Sequence, residues 1–187
     1  MVKILKNKIA YESDINNSEG KAALVAIPEN TSEIQNLVLS HGQADIIARG
    51  AGTSFVKGVV PDNSLIIDLS RMNSLLKINP ARKTAHIQTG VTVEQLNDEL
   101  EKFDLEFPVE PLFPEIQTIG GLMALNCPGD RELKYGPILN WVDSIEIITD
   151  KGEVKDFSKS EATDFVGLEG TTGIIASAKL RLISKRQ

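Results

Sequence analysis

An apolar triplet, Ile46-Ile47-Ala48, runs directly into Arg49-Gly50-Ala51-Gly52-Thr53-Ser54, and no other junction in the chain restricts the fold so much. Consecutive aliphatic residues bounded by turn formers read as a short buried strand. The two glycines then permit a tight reversal and let a ligand come close to the main chain. A turn that aims successive N–H groups one way makes an anion-binding nest, and Thr53 and Ser54 add hydroxyl donors. The junction therefore suits a phosphate or pyrophosphate held by backbone. The competing reading is an ordinary glycine-rich turn between strands. It is not the dinucleotide fingerprint of the Rossmann fold. That motif needs a third glycine where Phe55 stands and must open a helix, whereas Gly58 and Pro61 follow here.

The flanking pattern gives the class. Residues 22–27 form an apolar run ending at Pro28 and predict a buried strand. Asn30 or Thr31 can cap a helix, with Glu33 placed to answer Asn30 in a capping box. Ile34, Leu37 and Val38 give that helix one apolar face, and Gly42 ends it near His41. Strand, helix, strand is the order of a parallel βαβ unit, and residues 65–69 predict a third strand. Beyond residue 72 the character changes. Residues 75–78 and 84–88 flank Asn79-Pro80-Ala81-Arg82 and predict a hairpin, so a subdomain boundary is expected near residue 72, dividing a single domain (1–187) into 1–72 and 73–187.

Thr92 and Gln95 form a second capping box, and Val93, Leu96, Leu100 and Phe103 recur at helical spacing, predicting a helix over about 93–103. Pro108, Pro111 and Pro114 then fix an extended path. Thr118-Ile119-Gly120-Gly121 precedes a short helix over 122–125, whose small-residue start is a second natural anion site. Residues 126–136 read as an irregular loop and 141–149 and 153–157 as strands, with a helical turn about 161–165. Gly170-Thr171-Thr172-Gly173 is a third glycine turn before a last strand over 174–183. In the polar residues 1–20, Ile9-Ala10-Tyr11 reads either as a short strand or as an arm.

Composition removes several functions. With 26 acidic against 20 basic residues the net charge is −6, which argues against nucleic acid and anionic membranes as partners. The basic cluster Lys179, Arg181, Lys185 and Arg186 reads as solvation of a terminal strand. The lone Cys127 excludes an intramolecular disulfide and fits a reducing cytoplasm. Lys3, Lys6 and Lys8 interrupt the N-terminal region, so neither a signal peptide nor a membrane span is expected. His41 and His86 read as structural, and Cys127 as an idle thiol. Arg49 either pairs with phosphate or braces the turn. Asp68 either orients the turn or is a loop-bonding carboxylate. No cluster has metal-ligand spacing, and no Gly-x-Ser-x-Gly elbow is present.

Six stretches in order carry a resemblance: Arg49-Gly50-Ala51-Gly52-Thr53-Ser54, Ile67-Asp68-Leu69-Ser70, Gln88-Thr89-Gly90-Val91, Thr118-Ile119-Gly120-Gly121, Lys134-Tyr135-Gly136 and Glu169-Gly170-Thr171-Thr172-Gly173-Ile174-Ile175. Over about residues 20–184 the chain resembles the PCMH-type FAD-binding domain of the vanillyl-alcohol oxidase superfamily, in its glycolate oxidase and D-lactate dehydrogenase branch. The resemblance implies a two-lobed α+β fold, with a small parallel α/β lobe, an antiparallel sheet lobe with flanking helices, and FAD between them. It implies that Arg49, Gly50, Ala51, Gly52, Thr53 and Ser54 hold the pyrophosphate, that Pro111, Thr118, Gly120 and Gly121 line the pyrophosphate and flavin side, and that Gly173 and Ile174 meet the adenine end. Many members attach flavin through a histidine where this chain has Thr53, so noncovalent FAD is expected. The loop Asn126-Cys127-Pro128-Gly129-Asp130 departs from the small residues usual there.

Members continue into a substrate-binding cap, whereas this chain stops at Gln187. The expectation is a fragment, a subunit whose partner carries the substrate pocket, or a standalone flavin carrier. The implied activity is oxidation of a 2-hydroxy acid such as glycolate or D-lactate, with no catalytic residue assigned. The alternatives are a noncatalytic FAD-holding or partner-binding subunit and an interaction protein that has lost its ligand.

Overall fold

Apolar runs that must hide both faces become central strands, and this sets the first sheet. The computed structural model describes residues 2–41, 45–54 and 57–185. Gly42, Phe55 and Arg186, which enter the expectations above, lie outside them. Strands β1 (Lys3–Ile4), β2 (Lys21–Ile27), β3 (Ile46–Arg49) and β4 (Asp62–Asp68) form a sheet in the order β1-β2-β4-β3. β2, β4 and β3 are parallel, and β1 runs antiparallel to β2. Helix α1 (Thr31–His41) crosses from β2 to β3. The two strands of the predicted βαβ unit are thus parallel but not adjacent, because β4 enters between them. Its Leu65, Ile66 and Ile67 are fully buried, as a parallel strand covered on both faces requires.

The second sheet is antiparallel throughout. It comprises β5 (Leu75–Asn79), β6 (Thr84–Gln88), β8 (Val142–Ile148), β9 (Val154–Ser158) and β10 (Ile174–Arg181), in the order β5-β6-β10-β8-β9. Helix α2 (Val93–Glu101) carries the predicted capping box. Thr92 Oγ1 accepts from the Gln95 amide at 3.2 Å and Gln95 Oε1 accepts from the Thr92 amide at 3.1 Å. It stops short of Phe103, and Asp104 turns left-handed with φ of 53°. Leu105 and Glu106 form β7, which pairs with β11 (Ile183–Ser184). The last strand is therefore two: β10 ends at Arg181, and the chain leaves the sheet to meet β7. Helix α3 (Ile119–Leu125) and the short α4 (Glu132–Tyr135) complete the fold. Ile9–Tyr11 is a 3₁₀ turn.

The main core packs α2 and α3 on the antiparallel sheet around Phe107, Leu96, Leu100, Ile119 and Met123, all 1% exposed or less. A second core joins the two sheets through α1. Ile34 and Val38 pack with Leu65 and Ile67 from one sheet and with Ile148, Ile174 and Ala176 from the other. Polar ties reinforce it, since Thr31 Oγ1 donates to Glu146 Oε1 at 2.8 Å and Gln35 Nε2 to the Gly152 carbonyl at 2.7 Å. At the start of α1, Asn30 Oδ1 accepts from the Glu33 amide, but Glu33 returns to the Glu29 amide rather than to Asn30. Holding the sheets together in this way brings the end of β3, the start of α3 and the start of β10 to one place. Among the described residues no helix is long and apolar enough to cross a membrane.

Candidate functional site

A continuous trough runs along that meeting place. At one end Gly50, Ala51, Gly52, Thr53 and Ser54 face Gln117, Thr118, Gly121 and Leu125. The middle is floored by Ala48, Thr89, Thr118, Gly120 and Ala124. The far end widens into a cavity of about 500 Å³ bordered by Asp45, Ile46, Asp150, Thr172, Gly173 and Ile174. Ala48 lines all three parts, and Glu169 lines the first two.

Close backbone approach builds the trough. A methyl on Gly50 would collide with the Thr118 hydroxyl, and one on Gly120 would stand 2.8 Å from Thr89 Cβ. The turn therefore packs on the Thr118 side chain at the start of α3, and α3 packs on Thr89, with no room for a side chain at either glycine. Gly52 has φ of 71°, a conformation open to glycine and strained for others. A Cβ there would also lie 2.5 Å from Arg49 Nη2.

The two predicted anion sites turn out differently. At the start of α3 the amides are engaged. Ile119 N–H donates to the Val91 carbonyl, Gly120 N–H to the Thr89 carbonyl and Gly121 N–H to Thr118 Oγ1. Thr118 caps the helix, so these amides are engaged within the chain and the start of α3 borders the trough through other groups. At the glycine turn, no described residue accepts from the amides of Gly50, Ala51, Gly52 or Thr53. Main-chain donors need a partner, and these border the trough.

Behind the turn lies a polar brace. The Arg49 side chain, 9% exposed, lies under Gly52 and outside the trough. Its Nη1 and Nη2 donate to the carbonyls of Tyr11 and Ala10, and its guanidinium stands 5.2 Å from the centre of the Tyr11 ring. Tyr11 Oη donates to Asp68 Oδ2 at 2.5 Å, while Asp68 Oδ1 accepts from the Ser70 amide. Burial, followed by the bond to Asp68 and its charge, pushes the Tyr11 phenol up to about 12. Burial lowers the Arg49 value, opposed by Tyr11 and Asp68. Of the two readings of Arg49, the geometry is that of a brace.

The residues singled out in the sequence thus divide. Gly50, Ala51, Gly52, Thr53, Ser54, Thr118, Gly120, Gly121, Gly173 and Ile174 border the trough. Arg49 lies beneath it. Pro111 is buried and does not line it, because the chain reaches the trough only at Gln117. Thr89, Gln117, Glu169, Asp45 and Asp150 are additional. Thr89 and Glu169 fall inside motifs already noted, whereas Asp45 and Asp150 sit in segments to which no element was assigned. Cys127 is half-buried, and burial first, then Glu132, pushes its thiol up, which is the reverse of an activated thiolate. His86 Nε2 lies 3.1 Å from Ser177 Oγ in the sheet.

A mixed fold with a main-chain-lined trough between a parallel and an antiparallel sheet defines a cofactor-binding domain. More specifically, the chain belongs to the FAD binding domain family, whose description matches residues 22–158, and FAD is the cofactor that membership assigns. The chain is 33% identical over 173 residues to glycolate oxidase subunit GlcD of Bacillus subtilis (strain 168), covering 86% of this chain and 37% of that protein. It is 31% identical over 170 residues to D-lactate dehydrogenase of Archaeoglobus fulgidus, covering 85% of this chain and 38% of that one. The chain thus spans well under half the length of these curated relatives. The solved structure of an alkyldihydroxyacetonephosphate synthase superposes with a TM-score of 0.88 over 97% of this chain and 38% of its own, at 24% identity, and shows the same fold.

Proposed function

We propose that this chain is the FAD-binding part of a flavin-dependent oxidoreductase that acts on a 2-hydroxy acid such as glycolate or D-lactate. Its substrate pocket is supplied by a further domain or a partner subunit. The observation that carries the reading is the row of amides at Gly50, Ala51, Gly52 and Thr53, which have no acceptor among the described residues and border the trough. They hold the pyrophosphate, with the Thr53 and Ser54 hydroxyls beside them. Thr118, Gly120 and Gly121 line the pyrophosphate and flavin side, and Gly173 and Ile174 the adenine end.

Bound FAD supplies the electron acceptor for a hydride from the substrate α-carbon. The chain's own residues bind and orient the cofactor. Thr53 has no nucleophilic ring nitrogen, so attachment is noncovalent. The identity to glycolate- and lactate-oxidising relatives supports the substrate class. Exposed Leu112, Phe113, Ile116, Leu125 and Leu168 support a covering domain or partner, since Leu125 lies on the trough wall itself. The single cysteine supports a cytoplasmic setting.

The test is the visible spectrum of the purified chain after addition of FAD and desalting, then after acid precipitation. Flavin bands that survive desalting and pass into the acid supernatant are expected. Absence of saturable FAD binding overturns the proposal. Turnover of glycolate or D-lactate with a dye acceptor by the chain alone removes the need for a partner.

A further inference from the structure

The Lys134-Tyr135-Gly136 motif lines no part of the trough, and neither do Arg131, Trp141 or Arg181. Together these residues build a row of cations and rings. Arg131 Cζ and Lys134 Nζ each stand 4.7 Å from the centre of the Tyr135 ring. Tyr135 and Trp141 meet edge to face with ring centres 6.0 Å apart, and Trp141 Nε1 donates to the Tyr135 carbonyl at 3.0 Å. Arg181, at the end of β10, has its guanidinium 5.9 Å from the centre of the Trp141 ring. It donates to the Asn140 carbonyl, which also accepts from Lys159 Nζ at 3.3 Å. Glu106 pairs with Arg131 at 2.7 Å, whereas Lys134, Lys159 and Arg181 have no carboxylate partner among the described residues. Leu133, the neighbour of Lys134 on α4, is fully exposed. A chain of net charge −6 thus gathers three uncompensated cations, two aromatic rings and a bare leucine in and around one short helix. Cations stacked on rings are ordered before a partner arrives, so less side-chain freedom is lost on binding. Arg, Tyr and Trp are also the side chains that carry most of the energy of protein interfaces.

We propose that this row is a docking surface for an acidic segment of a partner protein. Carboxylates of the segment pair with Lys134, Lys159 and Arg181, and an apolar side chain of it covers Leu133. The inference does not rest on the FAD reading. Charge complementarity selects the occupant, since carboxylates satisfy cations that this chain leaves without a counter-charge. A nucleic acid or an anionic membrane would have to bring its many phosphates against a chain of net charge −6. A nucleic acid would also gain nothing from Leu133.

The experiment titrates the full chain with a fluorescein-labelled oligoglutamate peptide that carries a central leucine pair. It reads peptide anisotropy and the emission of Trp141, the single tryptophan of the chain. Saturable binding with a change in Trp141 emission is expected, weakening as ionic strength rises from about 0.01 M to about 0.15 M. The double variant Lys134→Glu with Arg181→Glu is expected to weaken binding about tenfold or more, because each reversal replaces an attraction by a repulsion. Leu133→Ser is expected to weaken it about threefold, and this variant carries the test if the double variant does not fold. The control Lys3→Glu with Lys21→Glu makes the same change of net charge on the first sheet. It is expected to stay within about twofold of wild type at the higher salt, where distant charges are screened. Equal loss in control and double variant makes the effect one of net charge and overturns the proposal. So does an absence of saturable binding, or binding that leaves Trp141 emission unchanged. Tighter binding of a single-stranded oligonucleotide or an anionic vesicle to the same residues overturns the choice of partner. Dimerisation in sedimentation that the double variant abolishes gives the face to a second copy and overturns it as well.

Discussion

The two sheets are held by different physics. The antiparallel sheet is stabilised by aliphatic and aromatic packing, with Phe107, Leu96, Leu100 and Met123 buried against it by α2 and α3. The end of β3 is stabilised by a charge and its acceptors. Arg49 bonds to two carbonyls of an N-terminal segment that the pattern read as a short strand or an arm and that forms a 3₁₀ turn, and Tyr11 links that segment to Asp68 on β4. Non-directional packing tolerates small shifts of geometry, whereas hydrogen bonds fix atoms within tenths of an ångström. The packed region therefore carries stability, and the braced region carries the shape of the turn.

Substitutions can break this contrast at either side. Phe107→Ala empties a fully buried site and should cost about 3–5 kcal/mol, measured by denaturant unfolding. Flavin affinity per folded molecule should change little, because Phe107 does not line the trough. Gly50→Ala should act the opposite way. Its methyl meets the Thr118 hydroxyl, so the turn must draw back from α3, and FAD affinity measured by fluorescence quenching should fall by about tenfold or more for a misplaced anion site. Arg49→Met should combine the effects. Two part-buried carbonyls lose a charged donor, for about 1–3 kcal/mol, and the turn loosens under Gly52. If Arg49→Met lowers stability and leaves FAD affinity intact, the turn holds its shape without the brace.

The smallest expected effect is in pH dependence. The Tyr11 phenol is raised in the folded chain, from the usual 10.0 to about 12, so folding favours its protonated form. That contribution is fully present below pH 10 and is lost as pH rises from about 10 to about 12. Across this window the wild-type thermal midpoint should fall more steeply than that of Tyr11→Phe. Parallel curves would show that folding does not raise the Tyr11 phenol.

Local chemistry was legible wherever a residue acts on near neighbours in sequence. Thr92 and Gln95 cap α2 as their spacing requires, and the glycine turn follows β3 directly. The α+β class was what the ordered motifs implied, and the change from a βαβ to an antiparallel pattern near residue 72 agrees with it. What escaped acts over long separations. Tyr11 and Asp68 are 57 positions apart, and nothing in the residues around Tyr11 announces the partner. The entry of β4 between β2 and β3 is a matter of pairing, which an apolar run alone does not encode. The amides of α3 looked open because small residues begin a helix there, but Val91 and Thr89 lie within reach only after the chain has folded. Glu169 escaped because its motif reads as a glycine turn, and its place beside the trough is set by the packing of that turn on α3.

Helix α1 belongs by sequence to the first sheet and by burial to both. Its Ile34 and Val38 share a core with Ile148 and Ile174, and its Gln35 is tied to Gly152. Severing the chain near residue 72 would give two pieces, each with an unfilled apolar face and neither able to melt on its own schedule. The trough edges are thus mechanically slaved to one another. Hydrogen exchange should find the slowest amides of β4 and β10 opening together, in a single event, so that the gap awaiting the cofactor keeps its width until the whole assembly lets go.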